Sequence, residues 1–175
     1  CIFVPVERFS IAIETVNYYY RLLKDVMTKK VISLKENDSI GKVLKLFTKH
    51  NISGAPVIDK NNKVIGIVSE SDITKILDTY SPTIRFDKGN IYEVLLAAIK
   101  GKNEFEAIKK SIKDNKIKVK EFMNTPVITI TGDKSLIKAA RLMEHYHLNR
   151  IPVVNKSGKL VGIISRQDII RALTK

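Results

Sequence analysis

Cysteine is almost absent from this chain and tryptophan is entirely absent. The single cysteine, Cys1, cannot form a disulfide within the chain, which excludes a small fold held together by disulfides. No apolar run reaches the roughly 18 residues that a membrane-spanning helix needs, because Lys or Asp interrupts the longest candidates. The basic, apolar and small-residue parts of a secretory leader are also missing. We therefore expect a cytoplasmic protein that makes no membrane contact.

Recognisable catalytic and metal-binding motifs are missing as well. There is no Gly-x-Ser-x-Gly elbow, no Gly-rich phosphate loop and no His-Glu-x-x-His pair. His50, His145 and His147 have no cysteine or carboxylate cluster beside them that would complete a metal site. These absences predict no catalytic residue, no metal, no required cofactor and no enzymatic activity, although an activity without a known motif stays open.

The charge balance is strongly basic, with 31 Lys and Arg against 18 Asp and Glu and a formal net charge of +13. A positive surface can bind polyanions, since Lys and Arg release counterions from phosphates. Here the basic residues are mixed with acids, no block of five like charges occurs, and no basic stripe alternates with aromatics. This pattern favours a solvated surface, and nucleic-acid binding stays open as an alternative.

The sequence contains an internal repeat. When it is shifted by 96 positions, residues 27–77 match residues 123–173 without a gap, and sixteen of the 51 pairs are identical. Both copies contain a Pro-Val pair, then a Gly-Ile pair, then a Ser-x-x-Asp-Ile motif that begins at Ser69 in the first copy and at Ser165 in the second. The chain is therefore a duplication of one structural unit.

Each copy predicts the same order of elements, β-α-β-β-α. Along the first copy these are a strand at 31–34, a helix from Ile40, strands at 57–58 and 64–68 joined by a polar turn, and a helix from Asp72 to about 79. The first helix is predicted because its apolar residues recur at i, i+3, i+4 and i+7, and because Asp38 and Ser39 can cap its start.

We expect a mixed α/β (α+β) protein with four segments. These are a leader helix at 1–25, the first repeat at 26–79, a helical insertion or linker at 80–118 and the second repeat at 119–175. A three-stranded unit of this size cannot easily cover its sheet alone, so we expect the repeats to pack with pseudo-twofold symmetry and complete one core. Such packing would create two matched clefts suited to small molecules.

The ordered set of motifs, occurring twice in register, resembles the tandem CBS domain pair, or Bateman module. The resemblance covers residues 26–78 and 122–174: Met-Thr or Met-Asn, a strand, a helix, Pro-Val, a hairpin, and Gly-Ile followed by Ser-x-x-Asp. It implies a regulatory module that binds an adenosine-type ligand (AMP, ADP, ATP or an S-adenosylmethionine-like molecule) and relays this to an unknown protein partner. It also implies a homodimer.

The resemblance also implies which residues bind the ligand. The ribose would contact the Ser and Asp of each Ser-x-x-Asp motif, which suits a charge-assisted, two-point contact. The backbone before each Pro-Val pair would line the adenine pocket. Residues at the start of the first strand would form the opposite side of that pocket. The implied ligand-binding residues are Thr28, Val31, Gly54, Ala55, Pro56, Ser69 and Asp72, and then Thr125, Pro126, Val127, His147, Arg150, Ile151, Pro152, Ser165 and Asp168.

The two implied sites differ in their phosphate contacts. Arg150 and His147 suit a phosphate in the second copy, whereas the matching residues of the first copy, Gly54 and Asn51, carry no cation. A phosphorylated ligand is therefore expected in the second-copy cleft.

Two simpler interpretations stay open. Ser-x-x-Asp before an apolar run is also a capping box, in which both side chains satisfy backbone groups at a helix start. The pair of repeats could likewise be a structural dimerisation module whose clefts stay empty.

Overall fold

The computed structural model describes residues 21–80, 110 and 117–174. In chain order, its elements are α1 (Leu23–Val26), β1 (Leu34–Lys35), α2 (Ile40–His50), β2 (Gly54–Ile58), β3 (Val64–Ser69), α3 (Glu70–Tyr80), a 3₁₀ turn (Val119–Glu121), β4 (Ile130–Thr131), α4 (Leu136–His145), β5 (Arg150–Val154), β6 (Leu160–Ser165) and α5 (Arg166–Leu173). The predicted order β-α-β-β-α is thus confirmed in both copies.

The described residues form two compact units. The first-copy unit contains residues 33–59, 65–80, 110 and 117–126; the second-copy unit contains residues 21–32, 60–64 and 127–174. Each unit has its own apolar core, with Leu34, Val57 and Val68 at the centre of the first and Ile151, Val153 and Ile164 at the centre of the second.

Each unit contains one three-stranded sheet, in the orders β1-β2-β3 and β4-β5-β6. The short first strand of each copy runs parallel to the next, with Leu34 opposite Val57 and Ile130 opposite Val153. Strands β5 and β6 form an antiparallel hairpin. A parallel pair needs a crossover, which α2 and α4 supply.

The first helix of each copy forms for the reasons that its sequence indicated. Ser39 and Ser135 are the N-caps, and each side chain accepts a hydrogen bond from the backbone N–H three residues later. The helix α2 ends at Asn51, whose φ of 49° is the left-handed conformation that terminates helices. None of the helices in the described ranges is long and apolar enough to cross a bilayer.

The segment that leads into each copy joins the sheet of the other copy, which the sequence did not predict. Thr28 exchanges backbone hydrogen bonds with Ile163 of β6, at 2.9 and 3.0 Å. At the equivalent position, Asn124 exchanges hydrogen bonds with Ile67 of β3, at 2.8 and 3.2 Å. Residues 21–28 therefore belong to the second-copy unit, and residues 117–126 belong to the first-copy unit.

This exchange changes two expected boundaries. The strand expected at 31–34 is shorter and begins at Leu34, because the chain before it has already paired at Thr28 with β6. The second helix of each copy begins two residues before the aspartate, at Glu70 and at Arg166, and in the second copy Ser165 is its N-cap. The leader helix before residue 21 and, apart from residue 110, both helices expected in the insertion lie outside the described residues.

Two glycines allow the lead-in segments to pack. A Cβ atom added to Gly162 would lie within 3.0 Å of the sulfur of Met27, and a Cβ atom on Gly66 would lie 2.7 Å from the sulfur of Met123. Met27 and Met123 occupy equivalent positions, as do the two glycines. Any larger residue on either strand would require the methionine side chain to move.

We predict that Gly162→Ala lowers the free energy of unfolding by about 1–2 kcal/mol, because the methyl group displaces the Met27 side chain from a packed core. Chemical denaturation with a fit to two-state unfolding measures the change. Gly132→Ala is the matched control, since its new Cβ would meet its nearest neighbour at an ordinary 3.4 Å. Equal stability of the two variants would contradict the packing role of Gly162.

Candidate functional site

Asp72 and Asp168 are the two charged side chains that are buried among the described residues, with 3% and 7% of their surface exposed. They are equivalent residues of the repeat, and each lies in the first turn of the helix that follows a hairpin. Burial of an ionised carboxylate is costly unless hydrogen bonds compensate for lost water. Both aspartates therefore need defined partners.

The serine three residues earlier provides these partners. The Oδ2 atom of Asp168 accepts hydrogen bonds from the Ser165 backbone N–H at 2.8 Å and from the Ser165 hydroxyl at 2.6 Å. The Oδ2 atom of Asp72 accepts the same pair from Ser69, at 2.8 and 2.7 Å. At the second copy, Ser165 also caps the helix in return. The capping interpretation of Ser-x-x-Asp is therefore confirmed in the second copy, and in both copies the bonds to serine use one carboxylate oxygen of the aspartate.

The other oxygen, Oδ1, faces a cation one helical turn further on. Oδ1 of Asp72 lies 3.6 Å from the Lys75 ammonium, and Oδ1 of Asp168 lies 3.5 Å from the Arg171 guanidinium. Both cationic side chains are more than half exposed, so these long ion pairs contribute little stability. Since a carboxylate oxygen has two lone pairs, Oδ1 keeps capacity to accept hydrogen bonds from a ligand.

A cavity adjoins each aspartate, and the two cavities use equivalent positions. The first-copy cavity has a volume of about 340 Å³ and is lined by Asp72, Lys75, Ile76, Ile117, Glu121, Phe122 and Asn124. The second-copy cavity has a volume of about 160 Å³ and is lined by Asp168, Arg171, Ala172, Arg21, Asp25 and Val26. Each cavity thus combines the helix of one copy with the lead-in segment of the other.

The predicted site residues divide between the two units. The first-copy unit holds Gly54, Ala55, Pro56, Ser69, Asp72, Thr125 and Pro126; the second-copy unit holds Thr28, Val31, Val127, His147, Arg150, Ile151, Pro152, Ser165 and Asp168. Of all these residues, Asp72 lines the first-copy cavity and Asp168 lines the second-copy cavity. Thr28 and Val31 lie in a different unit from Gly54 and Asp72, because the lead-in segments are exchanged.

On the second-copy sheet, the backbone brings together three of the predicted residues, Thr28, Arg150 and Ser165. Arg150 lies directly opposite Ser165 in the β5–β6 ladder, and Thr28 pairs with Ile163, two residues before that serine. His147 is exposed, with a φ of 53°, and does not line the second-copy cavity. Arg150 is thus the predicted phosphate contact that the backbone places beside the Ser-x-x-Asp motif.

Sequence reasoning missed the lead-in residues that complete each cavity. A signal was present, because the 96-residue register continues upstream of Met27: Asp25 matches Glu121, and Val26 matches Phe122. Within the described ranges, no three His, Cys, Asp or Glu side chains come close enough together to hold a metal ion.

Comparison with known proteins agrees with this architecture. A sequence profile described as the CBS domain matches residues 23–79 and 119–175, well over half of the chain. The chain belongs to the CBS domain family. Both matches begin upstream of Met27 or Met123, and so each includes lead-in residues that line a cavity.

Relatives of this CBS protein include proteins of similar length and much longer ones. The uncharacterized protein MJ1426 of Methanocaldococcus jannaschii is 36% identical over 159 residues, which cover 90% of this chain and 94% of the relative. The chain spans only 32% and 38% of two others from that organism, the uncharacterized proteins MJ1404 and MJ1232. It spans 25% of the homoserine O-acetyltransferase of Methanococcus vannielii. The shared region is therefore a module that also occurs within longer chains.

Solved structures share the fold. The CBS domain of a CBS domain-containing membrane protein from Sphaerobacter thermophilus has a TM-score of 0.68 and 27% identity, and the match covers 95% of this chain and 96% of that one. The CBS domain pair of protein MJ0100, in complex with 5′-methylthioadenosine and S-adenosyl-L-methionine, has a TM-score of 0.63 and 26% identity, with 89% and 97% covered. Both comparisons support the two-repeat fold.

We predict that Asp168→Ala destabilises the ligand-free protein by about 1–3 kcal/mol, because the Ser165 backbone N–H loses its acceptor. Asp168→Asn should cost clearly less, since the amide oxygen can still accept that hydrogen bond. Thermal and chemical unfolding of the two variants measures the difference. If Asn and Ala destabilise the protein equally, the hydrogen bond to Ser165 is not what fixes Asp168.

Proposed function

We propose that this CBS protein is a cytoplasmic regulatory module that binds an adenosine-type ligand beside Asp72 and beside Asp168 and relays ligand state to a protein partner. The observation that carries the proposal is the pair of equivalent buried aspartates, each of which lines a cavity and has its Oδ2 oxygen held by the serine. In this arrangement Oδ1 accepts the ribose hydroxyls in a charge-assisted contact. No covalent chemistry is required.

The structural neighbour supports the ligand class. The CBS pair of MJ0100 binds 5′-methylthioadenosine and S-adenosyl-L-methionine, and both ligands carry the ribose that Oδ1 would hold. An adenosine monophosphate has about 23 heavy atoms, which at about 0.3 kcal/mol per atom corresponds to a Kd on the order of 10 μM. Affinity in this range suits a sensor of changing metabolite levels. Binding regulates a partner only if the ligand prefers one of two conformations.

The second-copy site is the one we assign to a phosphorylated ligand. Arg150 lies opposite Ser165, while the equivalent residue of the first copy is Gly54. Arg21 and Arg171 add two guanidinium groups to the second-copy cavity. Guanidinium groups bind phosphate oxygens through two parallel hydrogen bonds, so AMP, ADP or ATP suits this site better than the first-copy site.

We predict that the parent protein binds members of a panel of AMP, ADP, ATP, S-adenosylmethionine and methylthioadenosine, and that Asp72→Asn with Asp168→Asn weakens binding by about 10- to 100-fold. The reason is that a neutral amide replaces the charged acceptor of the ribose hydroxyls. Isothermal titration calorimetry measures the affinities. The substitution to Asn is chosen because it preserves the hydrogen bond from serine.

Asp133→Asn is the matched control, since Asp133 is an exposed aspartate that lines neither cavity. Unchanged binding in the double variant would refute the assigned sites. No binding of any panel member to the parent would instead favour the structural dimerisation module. A salt-dependent shift of DNA or RNA would favour the nucleic-acid alternative.

We further propose that the chain forms a homodimer through the outer face of α4 and α5. An apolar groove of about 320 Å³ is lined there by Ala140, Met143, Ile169 and Ile170, with Glu144 and Arg166 beside them. Ile170 and Leu173 are 54% and 57% exposed. In a symmetric dimer the same patch meets itself, so that Glu144 of one copy can pair with Arg166 of the other.

We predict that Ile170→Glu shifts the protein from dimer to monomer, because it places a charge in an apolar contact. Sedimentation velocity across a concentration series measures the shift. The control is Val161→Glu, an exposed apolar residue on β6 outside the groove. A parent protein that is already monomeric, or an Ile170→Glu variant that remains dimeric, would contradict this interface.

A further inference from the structure

The two cavities occupy equivalent positions but differ in size and chemistry. The first-copy cavity has Ile117, Ile76 and Phe122 where the second-copy cavity has Arg21, Ala172 and Val26. The first-copy cavity has a volume of about 340 Å³, and the second-copy cavity has a volume of about 160 Å³. Small-molecule sites are largely apolar with a few placed polar groups, and Ile76, Ile117 and Phe122 give the first-copy cavity this character. The duplicated site has therefore diverged into two different ones.

The two cavities also differ in the charged residues that line them. Asp72 and Glu121 face a single cation, Lys75, in the first-copy cavity. In the second-copy cavity, two carboxylates face two guanidinium groups. A phosphate entering the first-copy cavity would add negative charge to an excess of carboxylates, whereas a ligand with an extra positive charge would balance it.

We propose that the first-copy cavity selects an adenosyl ligand that carries a sulfonium cation and an amino-acid arm, in preference to adenine nucleotides. This inference rests on the proposed adenosine-binding function and assigns the ligand class of one of its two sites. Phe122 lines this cavity, and an aromatic side chain attracts an alkylated cation such as a sulfonium. Asp72 keeps the ribose, Glu121 attracts the ammonium of the arm, and Lys75 attracts its carboxylate.

The position of Glu121 and Phe122 is fixed by local structure. Glu121 Oε1 accepts a hydrogen bond of 2.9 Å from the Lys118 backbone N–H, which caps the 3₁₀ turn and holds the carboxylate at the cavity wall. Phe122 follows this turn and packs against the core around Ile40, Ile76 and Ile117. Both side chains are thus held in place before any ligand binds.

The decisive comparison is between S-adenosylmethionine and S-adenosylhomocysteine, since the second lacks only the methyl group and the positive charge. Calorimetry on the Asp168→Asn protein, in which the second-copy site is weakened, reports mainly on the first-copy cavity. We expect S-adenosylmethionine to bind about tenfold more tightly than S-adenosylhomocysteine, and AMP to bind more weakly than either. Equal affinities for the two, or tighter AMP binding, would overturn the inference.

Two substitutions test the residues that confer selectivity. Phe122→Leu keeps an apolar side chain and should reduce the preference for S-adenosylmethionine about fivefold, with little change for S-adenosylhomocysteine. Val26→Leu, at the equivalent position of the second-copy cavity, is the control and should leave the preference unchanged. A Phe122→Leu protein with the parent's preference would exclude Phe122 as a selectivity residue.

Ile117→Arg installs the residue that the second copy has at this position. It should weaken S-adenosylmethionine binding about tenfold and strengthen AMP binding, because it adds a cation to the cavity. Because Ile117 is buried, Glu121→Gln is a milder second test, and it should weaken S-adenosylmethionine more than AMP. Failure of the parent to bind any adenosine ligand would refute the proposed function itself, whereas a preference for AMP would refute only this inference.

Discussion

The hydrogen bonds between each aspartate and the serine three residues before it determine the geometry of both sites. They hold Asp72 and Asp168 in the first turn of α3 and α5, where the carboxylates are buried and yet adjoin a cavity. Without them, burial of an ionised carboxylate would cost several kcal/mol and the side chain would turn towards water. The bonds to serine and the proposed ligand binding are therefore compatible, since those bonds use Oδ2 and leave Oδ1 for a ligand.

The exchange of lead-in segments explains why the cavities exist within each unit. The strand–helix junction of one copy supplies the aspartate, and the lead-in segment of the other copy supplies the opposite wall. Thr28 and Asn124 attach these segments to β6 and β3 by backbone hydrogen bonds, and the two glycines admit the methionines that precede them. A single copy would lack one wall of its cavity, which gives a physical reason for the duplication.

Much of the fold could be predicted from the sequence, because the signals for it are local. Capping serines, apolar periodicity and polar turns specify α2, α4 and the hairpins with residues that are close in the chain. The 96-residue repeat then extends each assignment to the second copy. The exchange of the lead-in segments was not predictable in this way, since Thr28 and Ile163 are far apart in the chain and nothing in either residue specifies the pairing.

The candidate site could likewise be predicted only in part. Among the cavity-lining residues, Asp72 and Asp168 were predicted because their motif recurs, while Glu121 and Phe122 were not, because they lie before the repeat that identities define. A pattern of conservative pairs, such as Asp25 with Glu121, extends the repeat where identities end. A search for equivalent positions should therefore follow similarity upstream and downstream until it fails, and not stop at the last identical pair.

Duplication explains both the similarity and the divergence of the two cavities. Residues that bear on the fold are the same in both copies: the capping serine, the aspartate, and the glycine under the methionine. Several residues that line the cavities differ, as Ile117 differs from Arg21 and Phe122 from Val26. The backbone hydrogen bonds of the exchanged segments do not depend on these side chains. Cavity-lining positions can therefore change the chemistry of one site while the backbone pairing of the exchanged segments is retained.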